Sequence, residues 1–110
     1  MKNNISFKDI TIVIVSYKSK KKVLNILKKT RNFCRFIIVE NSNDITLKEI
    51  IEKNYRKNVK IILSKNVGYG NGVNLAFKHV KTKYFLAFGP DIDGINLEDL
   101  QKDQIYQKVG

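Results

Sequence analysis

Four short apolar runs alternate with amphipathic helical segments along most of the chain, and that alternation restricts the fold more than any other feature. Ile10-Thr11-Ile12-Val13-Ile14-Val15-Ser16 is a nearly continuous β-branched run. Such a run suits a strand covered on both faces, as in a parallel sheet, rather than a half-exposed strand that alternates apolar and polar residues. Phe36-Ile37-Ile38-Val39, Val59-Lys60-Ile61-Ile62-Leu63 and Tyr84-Phe85-Leu86-Ala87-Phe88 follow as three more strand-sized runs. Between them, Lys20 to Thr30 carries Val23, Leu24 and Leu27 at helical spacing, with Ser19 placed as an N-cap. Thr46-Leu47-Lys48-Glu49 has the form of a capping box, opening a helix whose apolar face is Leu47, Ile50 and Ile51. Gly70 to Lys81 repeats Val73, Ala76, Phe77 and Val80 at i, i+3, i+4 and i+7. Alternating β and α elements predict a single α/β domain with right-handed crossovers, strands near 10–16, 35–40, 59–63 and 84–88, and strand order 3-2-1-4. Residues 1–9 read as an amino-terminal extension, 10–100 as the domain and 101–110 as a polar tail. Asn96-Leu97-Glu98-Asp99-Leu100 reads as the capped start of a short helix.

In a parallel sheet all four strands end on one edge, and each run here ends in a polar cluster. These are Ser16-Tyr17-Lys18-Ser19, Glu40-Asn41-Ser42-Asn43-Asp44, the segment from Ser64 to Gly72, and Gly89-Pro90-Asp91-Ile92-Asp93-Gly94. Ligands of open α/β sheets bind outside the carboxyl ends of the strands, so four converging clusters outline a cleft for a polar, phosphate-bearing ligand. The Asp91-x-Asp93 pair suits a hard cation such as Mg²⁺ or Mn²⁺ bridging a diphosphate, while Pro, Asp and Gly in that order also suit a plain turn. Glu40 is an acceptor suited to a nucleoside hydroxyl or base N–H, and equally to capping nearby backbone amides. Gly68, Gly70 and Gly72 permit close approach of backbone to a ligand at the start of a helix, whose amides favour anions. Val73 stands where a third fingerprint glycine belongs, and no Gly-Lys-Ser/Thr occurs, so neither a dinucleotide fingerprint nor a P-loop is present. His79 is the single histidine and reads as a solvated surface residue, which leaves metal binding to carboxylates.

Bulk composition fits one soluble domain. Hydrophobic residues make up 43% and charged residues 28%, which excludes wholesale disorder. The apolar runs are strand-sized, and the first nine residues hold no apolar core of a secretory signal, so the expected location is cytoplasmic. A lone cysteine, Cys34, cannot form an internal disulfide and reads as a buried, inert thiol. The formal net charge of +11 is unusual and attracts anionic partners: phosphate-bearing substrates, an anionic membrane surface, or nucleic acid. The lysines do not interleave with aromatic residues as a base-stacking platform requires, so nucleic acid is not the expected partner.

The ordered motifs resemble those of the family 2 glycosyltransferases of the GT-A fold, especially the rhamnosyltransferase-like branch. Thr11-Ile12-Val13-Ile14-Val15-Ser16-Tyr17 is similar to the family's first strand, and Ile38-Val39-Glu40-Asn41-Ser42 to its "VDN-S" motif. The segment from Asn66 to Asn74 is similar to its "N-G-N" segment, and Gly89-Pro90-Asp91 to the "NPD" form of its DxD motif. The resemblance covers roughly residues 10 to 100. It implies the amino-terminal half of the enzyme: a three-layer α/β/α, Rossmann-like, nucleotide-binding unit taking a UDP- or dTDP-linked sugar, in cell-surface polysaccharide or glycolipid synthesis. By the same resemblance Ser16 and Tyr17 line the nucleobase pocket and Glu40 contacts the uridine or thymidine. Asn66, Gly68, Asn71 and Asn74 shape the floor beneath ribose and donor sugar. Asp91 holds the divalent metal, with Asp93 a secondary acidic group.

The chain also departs from the family pattern. Lys18 stands where Asn is usual, Glu40 where Asp is usual, and Gly89 where the DxD motif has its first polar residue. Family members continue past this loop into the half that binds acceptor and supplies the general base, and Glu98, Asp99 and Asp103 match no such base. The expectation is therefore a donor half that is weakly active or inactive alone. The alternatives are a non-catalytic nucleotide-sugar-binding module, or one half of a split enzyme completed by a partner chain or a second copy.

Overall fold

A computed structural model describes residues 7–30, 35–90 and 106–107. After a 3₁₀ turn at Phe7–Asp9, strand β1 (Ile10–Ser16) leads to helix α1 (Lys20–Thr30). Strand β2 (Arg35–Glu40), helix α2 (Ile45–Asn54), strand β3 (Val59–Leu63), helix α3 (Tyr69–Phe77) and strand β4 (Tyr84–Phe88) complete the alternation. A two-residue strand β5 (Tyr106–Gln107) pairs antiparallel with β4 inside the segment expected to be a polar tail. The sheet order is β3-β2-β1-β4-β5, and β1 through β4 are parallel, in the predicted order 3-2-1-4.

Strand periodicity divides the core into two layers. Ile10, Ile12 and Ile14 point with Phe36, Ile38, Ile61 and Leu86 toward α1 and α2, where Val23, Ile26, Leu27, Leu47 and Ile51 meet them. Val13, Val15, Ile37 and Val39 point the other way, onto Ala76 and Val80. All seven residues of β1 are buried, as its continuous β-branched run requires of a central strand. Each fully buried Ile or Leu contributes roughly 1.5–3 kcal/mol. Among the described residues helix α3 alone covers the second face, and it lies close. A Cβ on Gly72 would sit 2.7 Å from Cγ1 of Val15, so only glycine fits there. Phe77 packs edge-on against Phe85 of β4, with ring centroids 5.5 Å apart.

Helix ends differ from the expected ones. The N-cap of α2 is Asp44, whose carboxylate accepts from the amide of Leu47 at 3.0 Å, so the cap precedes the predicted capping box. Ser19 precedes α1, but its hydroxyl donates to the Tyr17 carbonyl instead of capping the helix. Helix α3 stops at Phe77, not Lys81. His79 and Val80 donate to Ala76 and Phe77 in tighter i to i−3 turns, which still carry Val80 into the core. Cys34, the Asp91–Asp93 loop and the segment Asn96 to Leu100 lie outside the described residues. Among the described residues no helix is long and apolar enough to cross a membrane.

Candidate functional site

The carboxyl ends of β1, β2 and β3 are joined by a polar network centred on two buried side chains. Glu40, the last residue of β2, is fully buried. An isolated buried carboxylate is costly, and this one is supplied with donors from three directions. Its Oε1 accepts from the Ser42 amide at 2.6 Å, the Ser42 hydroxyl at 2.6 Å and the Asp44 amide at 3.2 Å. Its Oε2 accepts from the Ser16 hydroxyl at 3.1 Å. The Ser42 oxygen in turn accepts from the Lys18 amide at 3.1 Å. Glu40 thus ties the end of β1 to the turn that leads into α2, in the capping role open to it from sequence.

Asn41 is the second brace, 3% exposed. Its amide oxygen accepts from the Ser64 hydroxyl at the end of β3, and its amide nitrogen donates to the Gly68 carbonyl at 3.3 Å. Its backbone amide donates to Ser16, and the Ser64 amide donates to Glu40. The three loops are therefore one cross-linked unit, held before any ligand arrives. Among the described residues no buried side-chain polar atom lacks a partner. The sequence reading assigns Asn41 no role of its own; its signals there are its place in the Ile38–Ser42 motif and directly after a strand.

Backbone geometry adds detail. Gly68 has φ +85°, a conformation that side chains rarely adopt, and stands at the N-cap of α3 with no side-chain cap. No side chain caps the first turn of α3, and an uncapped helix start is a favourable place for an anion. Lys18 at φ 52° and Asn43 at φ 56° also occupy the left-handed region. Asn tolerates it; Lys gains nothing from it, which is the physical cost of having Lys where the related pattern has Asn.

The remaining candidate residues sit around this unit. Ser16 is buried beneath it, while Tyr17 is 47% exposed, with the Lys18 ammonium 5.3 Å from its ring centroid. Asn66 is exposed on the loop after β3, and the Asn71 side chain donates to the Val67 carbonyl at 3.0 Å. Gly70, Asn71 and Asn74 line an open cavity of about 620 Å³ with Tyr69, Phe85 and Ala87, on the flank between α3 and β4. A Cβ on Gly70 would touch nothing, so its lack of a side chain leaves that space open. Ser16 and Glu40 are joined directly; Asn71 and Asn74 lie on the flank, connected to them through Asn41 and Gly68. Asp91 and Asp93 lie outside the described residues, one step beyond Gly89 and Pro90. Among the described residues no three His, Cys, Asp or Glu side chains come together, so these residues alone offer no metal site.

Residues 11–92 match the model of glycosyl transferase family 2. The chain belongs to this family. It is 27% identical over 99 residues to the low-salt glycan biosynthesis hexosyltransferase Agl10 of Haloferax volcanii, covering 86% of this chain and 31% of that protein. Its fold is similar to crystal structures of S. aureus TarS 1–349 alone and in complex with UDP. Each aligns at a TM-score of 0.62 with 26% identity, over 76% of this chain and 27% of theirs. The chain thus spans about a third of the length of these relatives, and corresponds to the amino-terminal part of a family 2 enzyme. The parallel sheet and its strand order agree with the GT-A architecture of these neighbours.

Proposed function

We propose that this chain binds the nucleoside diphosphate part of an activated sugar, as the donor-binding portion of a glycosyltransferase acting in glycan or glycolipid assembly. The observation that carries this reading is the cross-linked carboxyl edge, where Glu40 and Asn41 hold three strand-end loops in one arrangement beside the uncapped start of α3. A UDP complex of a neighbour with the same strand arrangement supports the class of ligand. The hexosyltransferase role of the Haloferax volcanii relative supports the class of reaction.

The roles divide by chemistry. Tyr17 offers an aromatic face to the base, and Ser16 and Glu40 set the wall behind it. The Gly70 and Asn71 amides face the phosphates. Asn66, Gly68, Asn71 and Asn74 border the ribose and donor sugar. A divalent metal, Mn²⁺ or Mg²⁺, belongs on Asp91 with Asp93 nearby, because this loop leaves β4 at the edge where the other loops converge and has the charge a diphosphate-bound cation needs. In this reading the acceptor-binding part and the general base lie outside the matched residues 11–92, in the same polypeptide or in a partner chain. General-base help contributes about 10²–10⁴-fold, so the 110 residues bind donor and transfer sugar negligibly. Calorimetric titration with UDP and dTDP, with and without Mn²⁺, tests the reading. Saturable, metal-strengthened binding is expected. Absence of nucleotide binding alongside salt-sensitive binding to nucleic acid would replace it with a charge-driven nucleic-acid function.

A further inference from the structure

The opposite edge of the sheet carries a second feature. At the amino ends of β1, β2 and β3 lies a cavity of about 220 Å³, rimmed by Arg35, Arg56, Lys57, Lys60, His79 and Lys81. Lys and Arg make up 21 of the 110 residues, so a lining of eleven would hold about two by proportion; this one holds five, and no Asp or Glu. None of these six side chains pairs with a carboxylate among the described residues.

The rim is also held in place. The turn bearing Arg56 and Lys57 is closed by the Asn58 and Val59 amides donating to Tyr55, and pinned to β2 by the Phe36 amide donating to Asn58. The loop bearing His79 and Lys81 is tied to β1 through Thr82. The Thr82 hydroxyl donates its one proton to the Tyr84 carbonyl at 2.8 Å, so in its 2.6 Å contact with Thr11 the Thr11 hydroxyl is the donor. Five like charges gathered around a concavity repel one another, and a bound anion removes that repulsion.

We propose that this cavity is a second anion site, distinct from the donor cleft, that takes the phosphate of an anionic lipid headgroup and sets the sheet's amino edge against a membrane surface. The donor cleft opens from the other end of the strands, so the two sites can be filled together. The volume admits a phosphate and its ester oxygens, and Phe36, Ile37 and Val59 give the lining an apolar part that tolerates the glycerol side of a headgroup. The chain's net charge of +11 adds long-range attraction without choosing the docking face; the cavity chooses it.

Sedimentation of the whole chain with phosphatidylcholine vesicles, with and without phosphatidylglycerol, tests this. The expected result is binding only to the anionic vesicles, displaced by inorganic pyrophosphate. Replacing two cavity charges, Arg56→Gln with Lys57→Gln, is expected to lower vesicle partitioning about thirtyfold. Removing two exposed charges from α1, Lys21→Gln with Lys28→Gln, is expected to lower it less than about threefold. Both pairs are exposed, and matching circular dichroism spectra check that the variants fold. UDP binding is expected to be unchanged in both. Equal loss in the two variants would reduce the effect to net charge and overturn the proposal. Cavity-dependent binding of pyrophosphate without vesicle binding would assign the site to a soluble phosphate, and tighter cavity-dependent binding of single-stranded RNA would assign it to nucleic acid; either overturns it. Loss of UDP binding in the cavity variant would show that the edges are not separate sites, and would overturn it as well.

Discussion

Replacing Glu40 tests whether the strand-end loops are built around its carboxylate. In Glu40→Ala the Ser42 and Asp44 amides lose their common acceptor, and the Ser16 and Ser42 hydroxyls must turn elsewhere. A buried donor left without a partner costs about 1–3 kcal/mol. The hydroxyls reorient at small cost, so the two amides dominate, and with water partly filling the gap the loss comes to about 3 kcal/mol. Glu40→Gln keeps one oxygen for the Oε1 cluster, and its amide nitrogen can donate to Ser16. Only the charge assistance is lost, about 1–1.5 kcal/mol. Urea unfolding followed by far-ultraviolet circular dichroism reads both. With a slope of about 2 kcal/mol per molar, Ala lowers the midpoint by about 1.5 M and Gln by about 0.6 M. Calorimetry on the same proteins should show UDP affinity falling in Glu40→Ala under conditions where the protein remains folded, because the loops lose their shared arrangement. An Ala variant within about 0.5 kcal/mol of the parent would refute the bracing role.

Other substitutions separate packing from binding. Gly72→Ala forces a Cβ against Val15 and should destabilise by about 1–2 kcal/mol even after the gain in helix propensity, whereas Gly70→Ala should be neutral or stabilising by up to about 0.5 kcal/mol while weakening UDP binding; both are read by urea unfolding and calorimetry. Lys18→Asn should raise stability by about 0.5–1 kcal/mol in the same unfolding assay, since Asn accepts the φ of 52° that Lys18 holds. Asp91→Asn should weaken UDP binding about tenfold when Mn²⁺ is present and little in its absence, and Asp93→Asn should do less; calorimetry with and without the metal measures both.

The strands were the readable part of this chain because burial on both faces of β1 and β2, and partial burial of β3 and β4, favours apolar residues at nearly every position. The observed bounds of β1, β3 and β4 therefore coincide with the apolar runs. Helix ends were less readable, since they depend on which polar side chain wins a backbone amide. Asp44 captures the Leu47 amide two residues before the predicted box, and the Ser19 hydroxyl turns to a carbonyl. The pairing of Tyr106–Gln107 with β4 is a two-residue contact with no periodic signature. At the site, the sequence reading sets Ser16, Glu40 and the Asn66–Asn74 segment at one edge; the structure joins Ser16 and Glu40 there and sets Asn71 and Asn74 on the flank between α3 and β4. Sequence alone could not separate the three glycines of the loop. Gly68 is required by its backbone angle and Gly72 by Val15, and Gly70 by neither. Nor does a strand-end carboxylate announce its own burial, so the donors around Glu40 emerge only once the loops are folded.

The central claim, that the carboxyl edge of the sheet is the nucleotide site, is tested most directly by following the backbone amides of the isotopically labelled chain by NMR during titration with UDP. Saturable shifts are expected, grouped at Ser16 to Lys18, Glu40 to Asp44 and Ser64 to Asn74, with the amides of Arg56, Lys57 and Lys81 unmoved. Shifts confined to the latter residues, or none at saturating nucleotide, would contradict it.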